Sequence, residues 1–226
     1  SSLAGNPSVL IGFHYNDNGG WMFGWAIDDV LLFEPEGLDA AITSLSVNSS
    51  QDAPTTIPIT GTVSNIGAET INSFDITWSL GGGAAYTQNF SGLNMVSLGT
   101  YNFTHQDTWT ISQSGLYNLD VTISNVNGQA TDDNPSNDVY SQSVQALEYG
   151  TILDGGIQRE YIYYHPGSAP PNCPLIFVCH GYTGSAQGIM NYSEFNQLAD
   201  EYGFAVCYPQ GTQDGNGNTF FNVGYD

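Results

Sequence analysis

Hydrophobic and polar residues alternate in short runs through the middle of the chain, over 38–146. Such period-two alternation is typical of strands with one buried and one solvated face. Gly, Asn, Asp and Pro separate the runs, as turns between strands require. The predicted strands are AAITSLSV, IPITGTVSN, SFDITWSL, AYTQNFSGL, YNFTHQDTW, LYNLDVTIS and VYSQSVQAL. Seven short strands predict an immunoglobulin-like β-sandwich over 38–146, with Trp78 as a large aromatic in its core.

The pattern changes in the last segment, 148–226. Two β-rich runs come first, joined by Asp154-Gly155-Gly156, which is a strong hairpin signal. PLIFVCHG is a nearly continuous apolar run, typical of a strand buried on both faces of a parallel sheet. SAQGIMNYSEFNQLADEYG has a helical apolar stripe that ends at Gly203, and FAVCYPQG is the next apolar strand. Strand, helix and strand in this order predict a βαβ unit and a parallel sheet.

The first segment, 1–36, contains two apolar runs on either side of an Asn/Asp/Gly turn. Two strands do not form a stable domain alone, so we expect them to complete a sheet whose other strands lie outside the chain. NDNGGWMFGWAIDDVLLF resembles the last two strands of the jelly-roll adhesin domains, similar to cleaved-adhesin and MAM-type modules, of secreted bacterial proteins. The resemblance implies that Asp17, Asp28 and Asp29 could be calcium ligands. Read from the residues alone, Asp17 caps a turn and the other two acids lie at a sheet edge.

Composition narrows the classes of function. The 226 residues include 22 Asp and Glu, a single Arg and no Lys, which gives a formal net charge of −21. A surface this negative repels phosphate backbones and anionic lipid, so nucleic-acid binding is not expected. No apolar run approaches the length of a membrane span. The acids predict either the solvated surface of a secreted protein or local carboxylate clusters that bind calcium.

The predicted sandwich resembles bacterial CARDB-type modules, which are associated with adhesion. DDNPSNDVYSQSV is similar to the acidic turn before the last strand in that group. The stretch leaves two interpretations open. Asp132, Asp133, Asn134 and Asp138 could hold calcium, or they could belong to a solvated hairpin. The usual role of such a module is to space or present its neighbours.

A small polar loop, His180 to Gly184, follows the apolar strand of the last segment. Ligands of open α/β sheets bind at the carboxyl ends of the strands, and Gly lets the backbone approach a ligand closely. A loop that leads into a helix can aim amide N–H groups at an anion. The pattern therefore predicts an oxyanion hole, with an ordinary strand-to-helix turn as the alternative.

Four motifs in the last segment carry a family resemblance: DGGIQREYIYYHP, PLIFVCHGYTGSA, FNQLADEYGFAVCYPQG and FFNVGY. From about residue 154 to 226, the chain resembles secreted α/β-hydrolase esterases of the polyhydroxybutyrate depolymerase and feruloyl esterase type. The resemblance implies an extracellular serine ester hydrolase. It assigns the oxyanion N–H to Tyr182 or Thr183, with His180 and Gly181 shaping the loop. It also places Asn222 near the rim of the active site, where it would contact substrate; a plain turn Asn is the alternative.

The chain lacks the nucleophile that this fold requires. No Ser has a Gly two residues before it and another two residues after it, as G-x-S-x-G demands. We therefore expect a truncated fragment whose Ser, acid and catalytic His lie beyond residue 226, and which is inactive by itself. The odd number of cysteines gives no disulfide framework, although Cys173 and Cys207 could pair in an oxidising compartment.

Taken together, the sequence predicts a multidomain chain: all-β, with a jelly-roll end and an Ig-like β-sandwich, followed by the N-terminal part of an α/β-hydrolase fold. The first functional hypothesis is a secreted or cell-surface bacterial ester hydrolase. It would act on an ester-bearing polymer or polysaccharide, held there by the accessory modules, and would need no catalytic cofactor. The second hypothesis is a calcium-dependent adhesion or carbohydrate-binding protein with a non-catalytic hydrolase remnant. Any calcium would be structural in the first case and would support binding in the second.

Overall fold

The computed structural model describes residue 35 and residues 37–222. The chain divides into two compact units, 1–34 and 35–226. The jelly-roll prediction falls almost entirely on the first unit and lies outside the described residues, as do Asp17, Asp28 and Asp29. It stays a prediction, and so does the calcium site proposed from it.

The sandwich has two sheets, in which all but one of the strands pair antiparallel. The first contains β1 (Ala40–Leu45), β3 (Thr55–Asn65) and β6 (Thr100–Ile111) in that order. The second contains β5 (Tyr86–Met95), β4 (Ile71–Leu80), β7 (Gly115–Ser124) and the start of β8 (Val139–Asp154). All seven predicted strands are present, because each buries its alternate apolar residues between the sheets, and Trp78 is buried among them as predicted.

One sandwich strand was not predicted. β2 (Ser50–Ala53) pairs with β8 in parallel, from Ser50 opposite Gln145 to Ala53 opposite Glu148. Its sequence, SQDA, offers one buried residue and no apolar alternation, so only the pairing with β8 makes it a strand.

β8 joins the sandwich to the α/β part. Its first half pairs with β7, and its second half pairs with β9 (Ile157–Tyr164), beginning at Glu148 opposite Tyr163. The strand therefore runs straight through the predicted domain boundary at residue 147, where the pattern had suggested a break. Leu147 is buried in the α/β core, and the Ser114 hydroxyl accepts a hydrogen bond of 3.0 Å from the His165 N–H. A shared strand and this bond tie the two parts together.

The α/β part has the strand order β8-β9-β11-β10, where β10 is Leu175–Phe177 and β11 is Ala205–Pro209. β10 and β11 are parallel, as predicted. The hairpin between β8 and β9 turns through Gly155 and Gly156, with φ of 57° and 82°. Positive φ at both central residues is what the favoured two-residue hairpin turn requires, so the Gly-Gly prediction is confirmed.

The predicted single helix is two helices. α1 (Ala186–Ser193) and α2 (Phe195–Tyr202) are separated by Glu194, whose φ is 56°. Gly203 ends α2 in the left-handed conformation, as predicted, and its N–H donates to the Ala199 carbonyl. Two hydroxyls of the sheet fasten α2: Tyr164 donates to Asp200 and Tyr208 to Asn196, both at 2.7 Å. Among the described residues, no helix is long and apolar enough to cross a membrane.

The prediction that the PLIFVCHG strand is buried on both faces is wrong for this structure. Leu175 and Phe177 of β10 are 46% and 64% exposed. The two helices pack on the face of the sheet that carries Val206 and Tyr208, whereas Leu175 and Phe177 alternate onto the other face. The three cysteines of the chain are free thiols.

The acidic turn before β8 holds the backbone of β1. Asp132 is 8% exposed, and its carboxylate accepts hydrogen bonds from the N–H groups of Ala40 and Asn134. Asp133 accepts from the Leu38 N–H at 2.8 Å. The solvated-hairpin interpretation is therefore wrong for Asp132. Over residues 35 and 37–222, no group of three or more His, Cys, Asp or Glu is arranged to hold a metal ion.

Asp138 gives this turn a pH dependence. Burial, followed by the charges of Asp132 and Asp39, raises the pKa of Asp138 to about 6. An unfolded Asp titrates near 3.9, so the folded state holds the extra proton between about pH 4 and 6 and loses stability as pH rises through that window. We expect Asp138→Asn to raise the free energy of unfolding by about 1 kcal/mol at pH 7.5, allowing for solvent screening, and to change it little at pH 4.5.

Thermal unfolding at the two pH values measures this effect. Asp154→Asn, in the exposed hairpin turn, is the matched control because it removes a charge far from the cluster. An equal shift of Tm at both pH values for Asp138→Asn would mean that the charge of this carboxylate does not oppose folding.

Candidate active site

The predicted loop lies at the carboxyl end of β10, where the parallel strands β10 and β11 finish at the same edge of the sheet. It leads directly into α1, whose N-cap is Ser185, and the Ser185 hydroxyl accepts from the Gly188 N–H at 3.0 Å. The Gln210-Gly211 segment leaves β11 at the same edge. The loops that follow β10 and β11 and the N-terminus of α1 therefore meet at this point. Ligands of open α/β sheets bind at such places.

His180 connects the loop that follows β10 to the segment that follows β11. It is 5% exposed, and its Nδ1 lies 2.7 Å from the Gly181 carbonyl oxygen. Its Nε2 accepts a hydrogen bond of 2.9 Å from the Gly211 N–H. Because that amide can only donate, Nε2 carries no proton and Nδ1 is the donor to Gly181. With both nitrogens bonded to backbone, His180 holds the loop in place and is not a general base.

The loop itself is a tight turn. The Gly184 N–H donates to the Gly181 carbonyl at 3.0 Å, which places Tyr182 and Thr183 at the two central positions. Thr183 has a φ of 66°, an uncommon conformation for a branched residue. Gly184 packs closely here, because a Cβ at this position would lie 3.0 Å from both the Gly181 oxygen and the His180 Cβ.

A small hairpin forms hydrogen bonds with the turn. It consists of β12 (Thr212–Gln213) and β13 (Thr219–Phe220). The Thr183 N–H donates to the Thr219 carbonyl at 2.8 Å, and the Thr219 hydroxyl donates to the Gly184 carbonyl. These two bonds account for the strained conformation of Thr183.

The two predicted oxyanion donors therefore differ. The Thr183 N–H is committed to Thr219, whereas the Tyr182 N–H meets no acceptor among the described residues. Tyr182 is 65% exposed, so the residue lies at the surface of the protein. An N–H without an internal partner, on a turn held from both sides, is the kind of preorganised donor that an oxyanion hole needs.

The side chain of Tyr182 is anchored by Asp214. The Tyr182 hydroxyl donates to Asp214 Oδ2 at 3.0 Å, while Asp214 Oδ1 accepts from the N–H groups of Asn218 and Asn216. The backbone hydrogen bond from Asn218, foremost among these, lowers the pKa of Asp214 to about 2. The carboxylate thus remains charged, and its bond to Tyr182 raises the pKa of that hydroxyl.

Gln210 links three elements behind the loop. Its Oε1 accepts from the Ala186 N–H at 2.9 Å, and its own N–H donates to the Glu160 carbonyl at 2.8 Å. The side-chain amide also lies 3.3 Å from His180 Nε2. The start of α1, the end of β11 and the middle of β9 are held together in this way.

Asn222 lies at the edge of this group. It is exposed and follows Phe221, whose ring centroid is 4.8 Å from that of His180. The structure therefore brings the predicted loop residues and the Phe221-Asn222 segment to one end of the sheet. Sequence reasoning missed Asp214 and Thr219. The DGNGN turn is visible as a turn signal, but nothing in the pattern shows that it folds back onto the loop.

One family model matches a segment of this part of the chain. Residues 159–222 match the family model for the esterase PHB depolymerase. The matched segment contains β10, the His180–Gly184 turn, both helices and the β12–β13 hairpin, so it includes the whole site described above. The segment that contains the candidate site is therefore similar to an esterase family.

Two solved structures are similar to part of the chain. The crystal structure of the CARDB domain of a Pyrococcus furiosus protein, in complex with di-metal ions, has 16% sequence identity and a TM-score of 0.40, covering 54% of this chain and 99% of that one. The solution structure of that domain has 18% identity and a TM-score of 0.40, covering 49% and 96%. No curated protein matches the chain. Similarity at this level says nothing about what this chain binds.

Proposed function

We propose that this chain is part of a secreted, multidomain serine ester hydrolase and supplies the oxyanion loop of its active site. The observation that carries the proposal is the Tyr182 N–H, which has no described acceptor and sits on a clamped turn within the segment that matches an esterase family. The absence of any G-x-S-x-G in the 226 residues means that the nucleophile would come from another part of the complete protein.

The reaction is acyl transfer in two steps. A serine hydroxyl, deprotonated by a histidine, attacks the ester carbonyl, and the carbonyl oxygen becomes an oxyanion. The Tyr182 N–H donates to that oxygen, while Thr183, Thr219 and His180 keep the turn in place. The alcohol leaves with a proton from the histidine, and water then releases the acid from the acyl-serine. In this role Asn222, at the rim, contacts the substrate.

Hydrolysis of p-nitrophenyl butyrate by the complete protein tests the proposal. We expect turnover by the complete protein, none by residues 1–226 alone, and inactivation by a serine-directed phosphonate. Mass spectrometry should place the phosphonate on a serine outside residues 1–226. A complete protein that neither turns over esters nor reacts with the phosphonate would reject the proposal.

A further inference from the structure

The strand β8 has a strand partner along its whole length. Its residues up to Ala146 pair with β7, and its residues from Glu148 onward pair with β9. Leu147, between these two ladders, is opposite Asp52 of β2. Domains that move independently are joined by an exposed linker that few contacts cross. β8 leaves no such linker between the sandwich and the α/β part.

β2 lies beside the point at which β8 changes partners, where it pairs with residues 145–148. Ala146 pairs with both β2 and β7, and Glu148 pairs with both β2 and β9. A strand residue has only two edges, so β7 and β9 lie one after the other on the same edge of β8 and β2 lies on the opposite edge. β2 therefore contacts both the sandwich half and the α/β half of the strand.

The start of β7 contacts the segment that follows β9. Ser114 is 3% exposed, and its hydroxyl accepts the hydrogen bond from the His165 N–H. Gly115 has a φ of 152°, and a Cβ there would lie 3.3 Å from the His165 carbonyl oxygen and 3.4 Å from the Gly167 nitrogen. Glycine thus lets the backbone of the sandwich approach the backbone of the α/β part closely.

Two consecutive residues of β8 are buried in two different cores. Ala146 is 0% exposed and belongs to the sandwich core, whereas Leu147 is 2% exposed and belongs to the α/β core. Successive side chains of a strand point to opposite faces, so the two cores lie on opposite faces of one strand. Moving the two parts relative to each other would pull one of these side chains out of its core or break the strand.

The described α/β part has a small core of its own. Its buried cluster consists of Leu147, Ile162, Tyr164, Ala186, Met190, Ala199, Val206 and Tyr208. The far end of the β8–β9 hairpin adds little to it, because Ile152 and Leu153 are 59% and 77% exposed. A core of this size is marginal by itself, so the contacts with the sandwich are a substantial part of what holds β8 and β9.

β9 in turn supports the candidate site. The Glu160 carbonyl accepts the hydrogen bond from the Gln210 N–H, and the Gln210 side chain contacts His180 and the start of α1. The position of the site therefore depends on β9, and that of β9 depends on β8 and on the start of β7.

We propose that the sandwich and the α/β part fold as one cooperative unit, in which β2 and β7 form the surface that holds the first two strands of the α/β sheet. The sandwich is then part of the scaffold of the candidate site, and not the detachable spacer that its resemblance to CARDB-type modules implied. The inference concerns the folding of the chain and does not rest on the proposed ester chemistry.

Urea unfolding of the 226-residue chain, followed by one probe in each part, tests the inference. Trp78 and Trp109 are buried in the sandwich, and Cys207, on β11, is 8% exposed. A buried thiol reacts only when its surroundings open, so a short pulse of a thiol reagent at each urea concentration reports on the α/β part. Tryptophan fluorescence reports on the sandwich.

Four substitutions make the two probes specific by removing the other tryptophans and thiols of the chain: Trp21→Phe, Trp25→Phe, Cys173→Ser and Cys179→Ser. In this background we expect the fluorescence change and the labelling of Cys207 to have the same midpoint, as two probes of one cooperative transition do.

Ile59→Val distinguishes one transition from two that happen to coincide. Ile59 is 0% exposed in the sandwich core and lies on β3, in the sheet that β8 does not join. We expect this variant to lower both midpoints equally, by about 0.5 M urea. Val96→Ala is the matched control, because Val96 is 59% exposed, and it should leave both midpoints unchanged.

The inference is overturned if either probe changes at urea concentrations where the other is still native, or if Ile59→Val fails to lower both midpoints together. No ester is cleaved in this experiment, so its failure leaves the hydrolase proposal standing. Conversely, a chain that unfolds in one step while the complete protein hydrolyses no ester would reject the hydrolase proposal alone.

Discussion

Tyr182→Pro is expected to lower kcat for ester hydrolysis by the complete protein by about 10²- to 10³-fold, the usual effect of removing one oxyanion donor. Proline has no N–H, so the substitution deletes the proposed donor and nothing else on the backbone. The turn should tolerate it. Tyr182 is the first central residue of the Gly181–Gly184 turn and has a negative φ, and Thr183 behind it has a φ of 66°. Proline is favoured at this position of such turns.

Tyr182→Ala is the matched control for the proline variant. It removes the hydroxyl and its bond to Asp214, as the proline variant also does, but keeps the N–H. We expect Tyr182→Ala to retain kcat to within about tenfold, so that the difference between the two variants reports the N–H alone. Equal kcat values would mean that the Tyr182 amide does not stabilise the oxyanion.

His180→Ala is expected to destabilise the chain by about 3 kcal/mol. The substitution leaves the buried Gly211 N–H without its acceptor. It also opens a cavity between the segments that follow β10 and β11, because the His180 side chain is buried there. The loss of the imidazole also frees the Gly181 carbonyl, so the turn should loosen as the protein loses stability. Equilibrium unfolding in urea measures the change.

His165→Ala is the comparison for His180→Ala. The His165 ring is only partly buried, and its Nε2 lies 3.3 Å from the Pro170 carbonyl. We expect a loss below about 1 kcal/mol for this variant. Similar losses for the two variants would show that the His180 bridge does not support the fold, and the assignment of His180 as the residue that holds the loop would then be wrong.

Local chemistry could be predicted from the sequence because it acts over a few residues. The Gly155-Gly156 turn and the Gly203 cap both follow from backbone conformations that glycine adopts without a steric penalty, and both are present. The seven sandwich strands follow from alternation. The position of the His180–Gly184 loop at the end of a strand also follows, since an apolar run must stop where the small polar residues begin.

Features that depend on distant contacts could not be predicted. Glu194 breaks the predicted helix in a conformation that its residue type does not favour. The continuity of β8 depends on β7 and β9 taking different halves of one strand. Whether Tyr182 or Thr183 has the free amide is decided by Thr219, which lies 37 residues after Tyr182 and 36 after Thr183. Spacing along the sequence carries no information about such pairings.

The crystal structure of a phosphonate adduct of the complete protein would test the central claim most directly. A phosphonyl oxygen bound to the nucleophile occupies the place of the oxyanion, so its distance to the nearest amide nitrogens identifies the donors. The account predicts a phosphonyl oxygen at about 2.7–3.1 Å from the Tyr182 nitrogen. A phosphonyl oxygen held by other donors, with the Tyr182 nitrogen beyond hydrogen-bonding distance, would contradict it.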